Sequence, residues 1–260
     1  MSFDAVTISP ARSSDWISID NQGLALRCWW AAAEPRERDI DPISIHKRAY
    51  VVLPEVFGVN AWVRNVAERL AAQGIPALAV PLFARTAPDL DLDYSDSALA
   101  EGRRHKDATT TPQILSDLSA AVAWLQQRCP AAAIDVVGFC FGGHATWLAA
   151  TLPEVTRSFA FYGAGVVQGR PGGGAPTLEL LPQVSGAFTC LFGFEDPLIP
   201  ASDRAAIEAA LHAADPAGRR LRAVSYAGAD HGFMCDARAA FHDKAASAGW
   251  RLLKDALGLD

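Results

Sequence analysis

The chain has 260 residues, half of them hydrophobic, and a formal net charge of −6. That length and composition suffice for a large core, and its 23 basic residues, mixed among 29 acidic ones, form no extended stripe for a nucleic-acid backbone. The first residues show neither a basic leader nor an apolar signal core, no run of about 18 apolar residues occurs, and five cysteines lack metal-like pairing. A soluble, cytoplasmic protein is expected, without nucleic-acid or membrane partners, a metal site or a disulfide framework.

In chain order, a polar N-terminal region (residues 1–45) carries two runs suited to edge strands, Trp16 to Ile19 and Leu24 to Trp29, and a charged connector, EPRERDIDP. The run AYVVLPE then reads as a fully buried strand ending at Pro54. NAWVRNVAERLAAQG has apolar residues at helical spacing between Asn60, an N-cap, and Gly74, a stop, and PALAV follows as a strand. Strand, helix, strand make a crossover unit. Beyond it come a helix over Pro112 to Arg128, the strand AIDVVGF, a helix over Gly142 to Ala150 and the strands SFAFYG and FTCLFG. A helix near Ser202 to His212, the strand RLRAVSY and a helix from about Ala237 to Leu257 complete the pattern. Unbroken apolar strands alternating with helices imply an α/β fold, a mostly parallel sheet with helices on both faces, and the chain reads as one domain. GRPGGGAP, Gly169 to Pro176, reads as a mobile surface loop beyond Tyr162, where a lid would sit.

The stretch GFCFGG contains G-x-C-x-G, Gly138 to Gly142, where a strand becomes a helix. A nucleophile at such a junction needs a sharp turn, and small residues two positions to either side keep the backbone from colliding. The free N–H groups of the helix start favour a thiolate and a tetrahedral oxyanion, so Cys140 reads as the nucleophile and the Phe141 N–H as an oxyanion donor. Asp196 follows the strand TCLFG, with Glu195 as a competing acid, and His231 follows RLRAVSY. Nucleophile, acid, histidine is the α/β-hydrolase order, with each residue at the carboxyl end of a strand.

Together with PEVFGVN and VPLFART, these motifs resemble the dienelactone hydrolase family of α/β-hydrolases over roughly Tyr50 to Leu257. The resemblance implies the α/β-hydrolase fold and a Cys-His-Asp triad at Cys140, His231 and Asp196. It also implies that Glu55 interacts with the cysteine and helps form its thiolate, with the Val56 N–H as second oxyanion donor. Phe57 and Tyr162 match pocket residues, and Arg85 matches an arginine that binds a substrate carboxylate; a guanidinium offers such a group two parallel bonds. One departure stands out. Members that open dienelactone carry serine directly after the histidine and a second arginine shortly beyond it, whereas Gly232 and Cys235 stand here and the first arginine is Arg238.

The expectation is a monomeric, cofactor-independent cysteine hydrolase of aromatic catabolism that opens an enol-lactone, a dienelactone or a related small lactone or ester. A broad carboxylesterase or thioesterase is the rival among enzymes; a non-catalytic binder or thiol redox sensor is the rival outside them. His144, Trp124 and Trp147 read as packing residues, and His242 as a surface residue on the last helix.

Overall fold

The computed structural model describes residues 14–33 and 48–257. The connector EPRERDIDP lies outside the described residues, as do residues 1–13. Among the described residues eight strands form one sheet in the order β1-β2-β4-β3-β5-β6-β7-β8. The edge pair β1 (Ser14–Asn21) and β2 (Leu24–Ala31) is antiparallel, and β2 also runs antiparallel to β4 (Ala77–Ala79). From β4 onward every neighbour is parallel: β3 (Arg48–Leu53), β5 (Ala133–Phe139), β6 (Val155–Phe161), β7 (Ala187–Gly193) and β8 (Leu221–Tyr226).

The expected crossover is present. Helix α1 (Ala61–Ala71) joins β3 to β4, and the Asn60 side chain accepts from the Val63 N–H at its start. Helix α3 (Thr111–Arg128) covers the opposite face, with a capping box between Thr110 and Gln113. Alternation along β3 shows why its sequence is an unbroken apolar run. Tyr50 and Val52 join the core under α1, with Trp62, Val66 and Leu70, while Val51 and Leu53 join the core under α3, with Ile114, Leu118 and Leu125. Helices α4 (Phe141–Ala149), α5 (Ala201–Ala214) and α6 (Asp243–Leu257) follow β5, β7 and β8.

Two features depart from the sequence reading. Helix α2 (Asp96–Asp107) has no counterpart there, because DSALAEGRRHKD buries just Ala98 and Gly102 and so carries no apolar periodicity. The last helix starts at Asp243 rather than near Ala237; residues 232–242 turn back toward the sheet, and the His242 ring accepts from the Ala245 N–H at the new start. His242 therefore caps the helix. In the Gly-rich loop the Pro171 carbonyl accepts from both the N–H and the hydroxyl of Thr111. Among the described residues no helix is long and apolar enough to cross a membrane.

Arg85 belongs to this framework. Its guanidinium donates to Asp117 Oδ2 at 2.6 Å, and the buried Asp117 carboxylate accepts from Asn21 Nδ2 at 2.7 Å, joining β1, α3 and the loop after β4. Removing the guanidinium leaves a nearly dry carboxylate short of a partner. Arg85→Ala is expected to lower stability by about 1–3 kcal/mol in urea unfolding, and an unchanged midpoint would show that the pair holds nothing together.

Candidate active site

The junction after β5 turns as its glycines demand. A Cβ on Gly138 would lie 2.1 Å from the Gly142 carbonyl oxygen, and one on Gly142 would lie 2.3 Å from that of Leu53. Any side chain there would push α4 off the sheet. Between them Cys140 has φ +54°, a left-handed conformation that costs a non-glycine residue roughly 1–3 kcal/mol, and its N–H is held by the Phe161 carbonyl. Helix α4 begins at Phe141, one residue earlier than expected, so the Phe141 N–H has no acceptor within the helix.

Asp196 and His231 meet at the ends of β7 and β8, where Asp196 Oδ2 accepts from His231 Nδ1 at 2.8 Å. Glu195 is exposed and makes no such bond. Both partners of the pair are buried, and His231 Nε2 has no hydrogen-bond partner among the described residues. Burial opposes a charged imidazole, but the neighbouring Cys140 sulfur and the bonded carboxylate of Asp196 outweigh it and push His231 up to about 10. The buried pair favours a charged imidazole beside the cysteine.

Cys140 and His231 line one cavity of about 370 Å³ with Val56, Phe57 and Phe141. The Val56 N–H donates no hydrogen bond among the described residues, so two free N–H groups, those of Val56 and Phe141, belong to residues bordering the space around the thiol. Phe57 forms its wall and meets Tyr94 edge-on at 4.7 Å. Tyr162 does not line the cavity: it is fully buried and stands behind the site, its ring 5.1 Å from that of His231 in an edge-on contact. Arg85 is also absent from the cavity, for the reason given by Asp117.

Glu55 is 1% exposed and its Oε1 accepts from Arg238 Nη1 at 2.7 Å, while Oε2 has no partner among the described residues. Burial raises its carboxyl above the usual range, and Arg238 and His231 offset part of that rise. Arg238 was the site residue missed in the sequence. It reaches Glu55 by folding back across Gly232, where a Cβ would lie 2.5 Å from Nη1, and it sits 5.7 Å from the ring centroids of both Phe57 and Tyr94. The two departures in the sequence, Gly232 and the displaced arginine, are thus one structural event.

The remaining candidates are structural. His144 joins α4 to the following loop through Ala164 O (2.8 Å) and Thr177 Oγ1 (2.7 Å), and burial brings it down to about 4, so it is neutral. Cys235 is fully buried, and desolvation, with Glu55 nearby, pushes its thiol up to about 12. Among the described residues no group of three or more His, Cys, Asp or Glu side chains is arranged to hold a metal ion.

Comparison with known proteins shows the family of the chain. Residues 40–259 match the model of the dienelactone hydrolase family. A Synechocystis sp. protein assigned as a carboxymethylenebutenolidase is 35% identical over 241 residues, covering 92% of this chain and 93% of the relative. The carboxymethylenebutenolidase of Pseudomonas putida is 31% identical over 157 residues, 59% of this chain and 63% of that one. A crystal structure from Klebsiella pneumoniae assigned as a dienelactone hydrolase superposes with a TM-score of 0.81 at 26% identity, covering 94% of this chain and 98% of that chain.

The Glu55–Arg238 bond has a pH signature. Arg238→Ala strands a buried carboxylate, which then favours its protonated form more strongly. A carboxyl with a raised pKa holds a proton in the folded state where the unfolded chain has lost it, so stability falls as pH rises above about 4.5, the ordinary value. The variant's deficit is expected to be larger at pH 8 than at pH 5 in urea unfolding; a deficit equal at both, or larger at pH 5, contradicts an ionised Glu55 held by Arg238.

Proposed function

The chain belongs to the dienelactone hydrolase family and is a hydrolase of ester or lactone bonds, and from that premise we propose that it works through a Cys140–His231–Asp196 triad on a small lactone or ester. The observation that carries this reading is the 2.8 Å bond from His231 Nδ1 to Asp196, which leaves Nε2 for the cysteine at the start of α4. In the proposed sequence the Cys140 thiolate attacks the carbonyl carbon, and the N–H groups of Phe141 and Val56 receive the oxyanion. Collapse breaks the C–O bond, the leaving alkoxide takes a proton from His231, and a thioester remains. Water, giving a proton to the now neutral His231, attacks the thioester; the carboxylic acid leaves and Cys140 departs as thiolate. Asp196 holds the ring in the tautomer both steps use and supports its charge.

Glu55 is proposed as the group that relieves Cys140 of its proton, a role that its raised affinity for a proton supports and its bond to Arg238 restrains. In a lactone the leaving alcohol remains tethered to the acyl group, so the ring opens to a hydroxy or oxo acid. A dienelactone or related enol-lactone is the leading substrate class and, with it, a cytoplasmic place in aromatic catabolism. The absence of Arg85 from the cavity favours a second reading, a carboxylesterase or thioesterase of wider range.

The two readings part in one assay, dienelactone loss followed by ultraviolet absorbance beside p-nitrophenyl acetate hydrolysis. Cys140→Ala is expected to lower both rates by at least about a thousandfold with an unchanged melting temperature; retained turnover would remove Cys140 from the chemistry. Rapid lactone loss supports the first reading, and slow lactone loss with appreciable ester cleavage supports the second.

A further prediction concerns the imidazole. Asp196→Asn is expected to bring the His231 titration, followed by NMR, clearly below about 10 and to slow ester hydrolysis by up to about ten-thousandfold. An unmoved titration would show that Asp196 does not support the ring's charge.

A further inference from the structure

The cavity above Cys140 is electrostatically lopsided. The residues lining it include Arg103, Lys106 and Arg238 and no Asp or Glu, in a chain whose net charge is −6. These three arginine and lysine side chains are not equivalent. Arg238 is committed to Glu55 beneath the floor. Lys106 is paired at 2.6 Å with its neighbour Asp107, which offsets part of its charge. Arg103 has no ion-pair partner among the described residues and is exposed to solvent at the rim.

The two rim cations are held over the site by the fold. Both lie on α2, three residues apart and therefore on one helix face. Helix α2 docks through Gly102, where a Cβ would lie 2.2 Å from the Val56 carbonyl oxygen, so the residue beside Arg103 rests on the turn that carries the second free N–H. No side chain can separate α2 from that turn. The rest of the cavity is largely apolar, with Phe57, Leu99, Phe141 and Leu198 forming its sides. An occupant matched to these surfaces has its carbonyl at Cys140, an apolar body along the walls, and an anionic group at the rim.

We propose that the residues selecting substrates by charge are Arg103 and Lys106 of α2 rather than Arg85, so that the carboxylate which the family resemblance assigns to Arg85 is taken instead at the α2 rim, remote from the bond that breaks. The proposal rests on the hydrolase reading of the same cavity. It gives Arg103 the larger share, because Asp107 already engages Lys106. Neither residue touches the reacting atoms: they act on capture of the anion, and their removal therefore raises KM and spares kcat.

The test compares two esters of similar size, p-nitrophenyl hydrogen adipate and p-nitrophenyl hexanoate, as kcat/KM for wild type, Arg103→Gln/Lys106→Gln and Arg85→Gln. Wild type is expected to prefer the adipate, and the preference to shrink when salt is raised from about 20 to 300 mM, since charges at an open rim are screened over roughly 10 Å or less in that range. The α2 double variant is expected to lose about tenfold in kcat/KM for the adipate through KM, the lower end for charge-assisted bonds to an anion, with hexanoate turnover unchanged. Arg85→Gln is expected to leave the ratio of the two esters unaltered. An unchanged ratio in the double variant, equal losses on both esters, or a ratio that follows Arg85 overturns the proposal.

If wild type turns over neither ester, the hydrolase reading fails separately, and binding of adipate itself is measured by calorimetry. Binding lost in the double variant then supports an anion-selecting rim; binding equal in both proteins, or absent from wild type, overturns it.

Discussion

At the reactive end of the sheet, backbone is pressed directly against backbone. The first turn of α4 meets the end of β3 at Gly142, where a Cβ would lie 2.3 Å from the Leu53 carbonyl oxygen, and α2 meets the next turn at Gly102 in the same way. The short segment Pro54–Val56 is clamped from two sides by helices that approach through their glycines. That clamp brings the start of α4, and with it Cys140, beside the segment that carries Glu55 and Val56. It also covers the Val56 carbonyl while leaving its N–H without an acceptor among the described residues. A single methyl group at either glycine would have to move a helix, so the spacing of the site is set by contacts of the main chain and not by adjustable side chains.

Within that frame the charges come in balanced, nearly dry pairs. Asp196 has His231 and Glu55 has Arg238, each carboxylate with one oxygen bound to its cation at 2.7–2.8 Å. Burying a carboxylate is costly without such a partner, and pairing offsets the cost when the geometry is good. What the pairs leave unsatisfied is as informative as what they bind. Glu55 Oε2, His231 Nε2 and the Tyr162 hydroxyl are all buried and have no hydrogen-bond partner among the described residues. Protein interiors rarely tolerate such atoms, each costing about 1–3 kcal/mol, and His231, which carries one of them, lines the cavity with Cys140. A site kept ready for an incoming polar group accounts for that expense.

The framework was legible wherever the physics is local. An unbroken apolar strand such as β3 announces burial on both faces, Asn60 announces a helix start, and the glycines around Cys140 announce a turn with no room. Asp196 and His231 could be read from their places after strands, since a parallel sheet sends all its carboxyl ends to one side. Long-range consequences were not legible. Helix α2 buries two small residues and looks like a solvated loop, yet it forms one wall of the cavity. Arg85 sits in a motif that resembles a carboxylate-binding one, and nothing near it in the sequence reveals Asp117, 32 residues away and buried under β1. Tyr162 follows a strand, as pocket residues do, but its backbone turns to φ +39° and carries the ring behind His231.

The arginine after His231 shows why a comparison position by position misjudges this site. Counted along the chain, Arg238 is too far from the histidine and the glycine at 232 is a loss. In space the two changes compensate, because a glycine with φ +89° supplies both the backbone bend and the empty volume through which the longer loop returns its guanidinium to Glu55. The requirement at this point is a cation within bonding distance of a buried carboxylate, and the chain meets it by a different route. A side chain at 232 would press on the guanidinium and would strain a backbone held at φ +89°. The function of a charged residue in a buried site is fixed by the partner it reaches, and the path of the loop decides which position in the sequence supplies it.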